Sequence, residues 1–188
     1  MCKRLALVIS ALGGIASLGT QAADKSPVDF HVSGQAVYTQ VKASGETFSP
    51  PLFQLKADIE FNDLKIDGLG LQGLVSIPMS DDSTNGMTLE ITQQTGIYLT
   101  LTNPETRPED LKVSILLGYA STEIETLLPA LGAEAKNKDT YSDFSWGFSL
   151  QDQMIEGKPI YWTLDFLRYY KNDDLRVDGL GLGVTYAF

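Results

Sequence analysis

Two sets of residues in this chain have the types and spacing to do chemistry. His31 and Ser33 stand two apart in an extended stretch, so they share a face, and an imidazole beside a hydroxyl is the pairing of a general base with a nucleophile. Lys56, Asp58 and Glu60 also share a face, and Lys112 and Asp165 occupy the polar faces of two later segments. Charges of opposite sign gathered in a narrow apolar setting either pair or relay protons, because a lone buried charge is costly. Metal chemistry finds no ligand set. One histidine and one cysteine exclude the usual zinc and copper sites. Asp81-Asp82 and Asp173-Asp174 lack the alternating ligands of a calcium loop. No cofactor motif is present, since the glycine-rich runs are not followed by a helical pattern.

The elements that must position these residues are strands. Phe53, Leu55, Ala57, Ile59 and Phe61 alternate with Gln54, Lys56, Asp58, Glu60 and Asn62. Period-2 alternation recurs in eight segments, near 30–41, 53–62, 68–77, 89–102, 112–120, 144–151, 160–169 and 180–188. Together they predict an all-β fold, an eight-stranded antiparallel transmembrane barrel with apolar residues outside. Turns are expected near Asn62-Asp63, Asn103 to Leu111 and Asp152 to Lys158, at the end that carries both termini. Loops are expected at Ala43 to Leu52, Ser80 to Thr88, Ser121 to Thr140 and Lys171 to Val177 at the other. The segments Leu64 to Leu71 and Leu175 to Leu182 echo each other, and in both the apolar parity changes at Asp-Gly, which predicts a bulge there.

Residues 1–22 have the form of an export signal: Lys3 and Arg4, an apolar run to about Leu18, and small residues before a cut after Ala22. Residues 23–188 are then one barrel domain, without thiols because Cys2 precedes the cut. The net charge of −10 disfavours nucleic acid as a partner.

The chain closes on Gly183-Val184-Thr185-Tyr186-Ala187-Phe188, with Leu180, Leu182, Val184, Tyr186 and Phe188 on one face. With the signal and the eight amphipathic segments, this ending resembles the small eight-stranded outer-membrane barrels of the OmpA and OmpX type. The resemblance implies a Gram-negative outer-membrane location, contact with lipid and lipopolysaccharide, and recognition of Tyr186 and Phe188 by the barrel-assembly machinery. His31-Val32-Ser33 resembles the His-x-Ser of the lipid A deacylases, but Gly34 stands where that motif has asparagine. The expected topology also puts His31 inside, at the end away from lipid A. No enzymatic centre is therefore expected, and Lys56, Asp58, Glu60, Lys112 and Asp165 are read as a polar network filling the lumen.

Arg168 continues the outward parity of Ile160 to Phe166, so Arg168 and nearby Lys171 are expected to contact lipid headgroups. The stretch 121–140, rich in apolar residues around Leu127, is the expected surface for a partner or a lid. A different class of protein fits the same alternation: a soluble periplasmic lipocalin-like barrel that binds an apolar ligand, with its large apolar side chains inside and Lys56, Asp58 and Glu60 in solvent.

Overall fold

The computed structural model describes residues 27–43, 45–64, 66–103, 111–127 and 136–188. Ten strands lie in one antiparallel sheet: β1 (Val28–Ala43), β2 (Glu46–Phe48), β3 (Pro51–Phe61), β4 (Leu69–Pro78), β5 (Asp82–Thr84), β6 (Met87–Thr102), β7 (Lys112–Leu127), β8 (Lys136–Gln153), β9 (Ile160–Lys171) and β10 (Leu175–Ala187). Eight of them are staves, in the order β1, β3, β4, β6, β7, β8, β9, β10, and β10 pairs back onto β1 from His31↔Ala187 to Ala43↔Leu175. The sheet is thus a closed barrel: every stave is paired on both sides along the wall nearer Phe188, and the stretch of β8 before Trp146 lacks a partner on β9. β2 prolongs β3 beyond the Ser49-Pro50 break, in register with it along β1. β5 joins β6 through Asn85-Gly86, whose φ values of 51° and 76° are those of the two-residue turn that matches strand twist.

The first and last described residues lie at one end, where Asn62 N donates to Pro27 O and Phe188 N donates to Phe30 O, each at 2.9 Å. In the half of the barrel next to that end, apolar residues point out and polar ones in. Leu182 is 62 % exposed and Leu99 57 %, whereas Lys56 is 2 % exposed. That orientation excludes the soluble alternative, because water would face the apolar side and the charges would be interred.

Toward the far end the polarity inverts. Val41, Phe48, Ile91, Ile124, Leu175 and Val177 pack inside as an apolar core, while Lys42, Thr47, Glu123, Glu125 and Arg176 occupy the outer face. The wall there has the pattern of a protein in water, and the wall below it the pattern of one in lipid. This inversion corrects the expected bulge at Asp178-Gly179. β10 keeps one parity throughout, and Leu175 and Val177 are apolar because they face the core. In the other copy of the echo, Leu64, Ile66 and Asp67 fall in the turn between β3 and β4, with Gly68 at φ 74°. The bulge found here sits in β9: Val177 pairs with Tyr170 and Asp178 with Arg168, which leaves Tyr169 as the additional residue. As a result Tyr170 turns inward and packs with Tyr141 against the core (ring centroids 5.4 Å apart).

The expected loop Ser121 to Thr140 is mostly paired strand. β7 runs on to Leu127, β8 begins at Lys136, and their register continues through Leu127↔Lys136. Lys136 to Glu125 and Lys138 to Glu123, each 2.8 Å, close the ribbon. Residues 128–135, most of the turn after Asn103, and the expected export signal lie outside the described residues.

Candidate functional site

The lumen is built from every second residue of each stave. Gln35 donates through Nε2 to Gln54 Oε1; Gln54 Nε2 donates to Ser76 Oγ (2.9 Å) and Tyr169 OH (3.0 Å); Gln94 Nε2 donates to Thr122 Oγ1 (3.1 Å). With Ser76 Oγ donating to Gln94 Oε1 at 3.3 Å, this belt of amides and hydroxyls joins six staves, β1, β3, β4, β6 and β7 in succession and β9 through Tyr169. Period-2 alternation put Gln54 on a polar face, but the sequence did not show that it meets Gln35, Ser76, Gln94 and Thr122, whose common level depends on register. Below the belt Tyr98 fills the barrel, its hydroxyl 2.8 Å from Ser145 Oγ. Glycine makes that possible: a Cβ on Gly96 would lie 2.6 Å from Tyr98 Cε2, and one on Gly118, directly across the ladder, 2.8 Å from Tyr98 Cδ1.

Of the predicted lumen charges, Lys56 and Asp165 form an ion pair buried on both sides. Thr163 Oγ1 also donates to Asp165 Oδ1 at 3.2 Å. Asp58 accepts from Gln72 Nε2, its partner directly across β3 and β4. Glu60 and Lys112 line, with Asp58, Gln72 and His31, a cavity of about 40 Å3 near the termini end. That volume holds roughly three waters at ~10–15 Å3 each. Lys112 Nζ also lies 5.2 Å from the centre of the Tyr161 ring. The five predicted residues therefore do face one interior, as a buried pair and an adjoining charged cup.

His31 lines that cup, but Ser33 is engaged elsewhere, its Oγ 2.7 Å from Thr185 Oγ1 across the closing seam. The structure does not bring the two together as a base and nucleophile. Among the described residues no group of three or more His, Cys, Asp or Glu is placed to hold a metal.

The outer rim is the second charged region. Arg168 Nε donates to Asp178 Oδ1 at 2.7 Å and its guanidinium lies 5.3 Å from the centre of the Trp146 ring. Asp178 also binds Arg176 Nε at 2.9 Å. One level further out, Lys42 pairs across the ladder with Arg176, and Arg176 with Lys171, so three cations stand in a row on the outer face. The row borders a shallow groove of about 270 Å3 that the carboxylates Asp173 and Asp174 also line. Arg168 and Lys171 were predicted; Lys42, Arg176 and Asp178 were missed, because the row forms only when β1, β10 and β9 lie side by side.

At the termini end, Phe188 packs on Phe30 (centroids 5.6 Å apart) and edge-on to Tyr186 (4.8 Å), and both last aromatics are exposed on the outer face.

A closed eight-stave barrel with an apolar outer belt and a hydrogen-bonded interior defines a membrane-spanning β-barrel. The chain belongs to the outer membrane protein beta-barrel domain family, whose model matches residues 8–188. Its place is accordingly the outer membrane of a Gram-negative bacterium. Among solved structures it is similar to Ail, the attachment invasion locus protein of Yersinia pestis, with 16 % identity and a TM-score of 0.60 over 87 % of this chain and 100 % of Ail. It is also similar to Neisserial surface protein A (13 % identity, TM-score 0.56, 85 % of this chain and 97 % of the other). OprG of Pseudomonas aeruginosa is a third neighbour (12 %, 0.54, 85 % and 95 %). At these identities the likeness is one of fold. No curated protein matches the chain in sequence.

Proposed function

We propose that this protein is a non-catalytic outer-membrane barrel whose far rim faces outward from the cell and binds the phosphates of lipopolysaccharide. The observation that carries this reading is the row Lys42, Arg176 and Lys171. Like charges directly opposite one another in a ladder destabilise it, and a bound anion relieves them. The row stands just beyond the level where the outer face turns from apolar to polar, which is where headgroup phosphates lie. Arg168, held between Asp178 and Trp146, extends the cationic surface toward the lipid. Ail has been crystallised with the heparin analogue sucrose octasulfate, another dense array of anions. Tyr186 and Phe188, exposed at the other end, are the residues offered to the assembly machinery.

Each surface cation near a charged membrane contributes about 1 kcal/mol. Lys42→Glu with Arg176→Glu should therefore weaken retention on purified lipopolysaccharide at least tenfold, and added salt should weaken the unaltered protein. Retention unchanged in the double variant, which must still assemble as a barrel, would overturn the reading. A proteinaceous partner is favoured by one further observation. β8 has no ladder partner on β9 above Trp146↔Arg168, so residues 137–145 offer an edge on which an extended segment can pair. Thr140→Pro in β8 should abolish binding to such a partner and leave lipopolysaccharide binding intact.

A further inference from the structure

We propose that the cup near the termini binds one monovalent alkali cation, Na+ or K+, between the side chains of Asp58 and Gln72. Gln72, 3 % exposed, lines this cavity and spends its amide nitrogen on Asp58 Oδ1, while its own Oε1 is buried without a donor among the described residues. Asp58 Oδ2 is likewise buried and without a donor. The two oxygens belong to directly opposed residues of β3 and β4, so one ion can bridge them. The cation of Lys56 is committed to Asp165.

The charge balance asks for a cation and not for water alone. Asp29, Asp58, Glu60 and Asp165 occupy inward positions of this half of the barrel, against Lys56 and Lys112. Low-dielectric walls focus that excess of negative charge onto a mobile cation. The lining of the same cavity also includes the hydroxyls of Thr100, Thr102 and Ser114, the last two hydrogen-bonded to each other at 2.8 Å, and neutral oxygens of this kind suit a hard ion of low charge. Two carboxylates and one amide are too few ligands for a divalent ion, which takes about six oxygens or more.

The test is thermal melting of the barrel in detergent, followed by circular dichroism, in NaCl, KCl or N-methylglucamine chloride at equal ionic strength. A saturable upward shift of the midpoint with Na+ or K+ and none with N-methylglucamine is expected. Asp58→Asn should remove the shift, and Asp143→Asn, an exposed carboxylate on β8, should keep it. Should Asp58→Asn fail to assemble, crystals of the unaltered protein grown with RbCl decide the matter through an anomalous peak between Asp58 and Gln72. Equal midpoints in all three salts, or no peak there, mean a hydrated cavity only and overturn the proposal. Neither result depends on the lipopolysaccharide reading.

Discussion

Lys56 and Asp165 offer a measurement of what holds the interior together. Their side chains are 0 % and 2 % exposed, so Lys56→Met strands Asp165 with one remaining donor among the described residues, Thr163 Oγ1. Removing one partner of a buried pair costs about 3–5 kcal/mol, since the survivor stays desolvated and unpaired. Replacing both partners by apolar groups of similar volume is often neutral. Lys56→Met alone should therefore lower stability by about 3–5 kcal/mol, Asp165→Leu alone by a comparable amount, and the double variant by far less than their sum. The assay is reversible urea unfolding in lipid or detergent micelles, read by the fluorescence of Trp146 and Trp162 in the wall, as a double-mutant cycle. A coupling below ~1 kcal/mol, or single variants that cost less than that each, would refute the view that this pair is a dry interior contact.

Gly96→Ala places a methyl against Tyr98, and overpacking of this kind costs about 1–3 kcal/mol; combining it with Tyr98→Leu should restore most of the loss in the same urea titration. Leu117→Arg, midway along the apolar outer stripe of β7, should cost about 2–4 kcal/mol, whereas Ser121→Arg on the same face, nearer the polar rim, should cost little; equal costs would contradict the inverted polarity of the two halves. The apolar core at the far end, sealed by Phe48, Ile91 and Ile124, predicts no steady conductance in planar bilayers, and stepwise ion currents from the unaltered protein would contradict it. In cell fractions the unboiled protein should run fast on SDS gels and slow after boiling, and absence of that shift would contradict closure of β1 on β10.

The staves were legible because lipid on one side and side chains on the other impose a period of two, and Phe53 to Asn62 displays it without interruption. The inward set Lys56, Asp58, Glu60, Lys112 and Asp165 followed from that parity alone. The partners did not: that Lys56 meets Asp165, or that Lys42, Arg176 and Lys171 form a row, depends on shear between strands far apart in the chain. Leu175 and Val177 misled for a different reason. An apolar residue in a strand signals burial or lipid with equal force, and only the polar residues opposite, Arg176 outside, tell which. For the same reason the ribbon of β7 and β8 read as a loop, since Glu123 and Glu125 acquire their strand character from Lys138 and Lys136 across the ladder.

The seam between β1 and β10 bears on how the molecule comes into being. Every other stave meets its neighbour across a turn, but Ser33 and Thr185 join over a separation of 152 residues. Closing so long a segment costs roughly 2.4 kcal/mol more than closing a hairpin of about ten residues, from the logarithmic dependence of loop entropy on length. Until that seam forms, both outermost strands carry rows of free amides and carbonyls that hydrocarbon does not tolerate. Insertion and closure must therefore be a single late event, and its rate, more than the stability of any one hairpin, governs how long the nascent chain is exposed to aggregation.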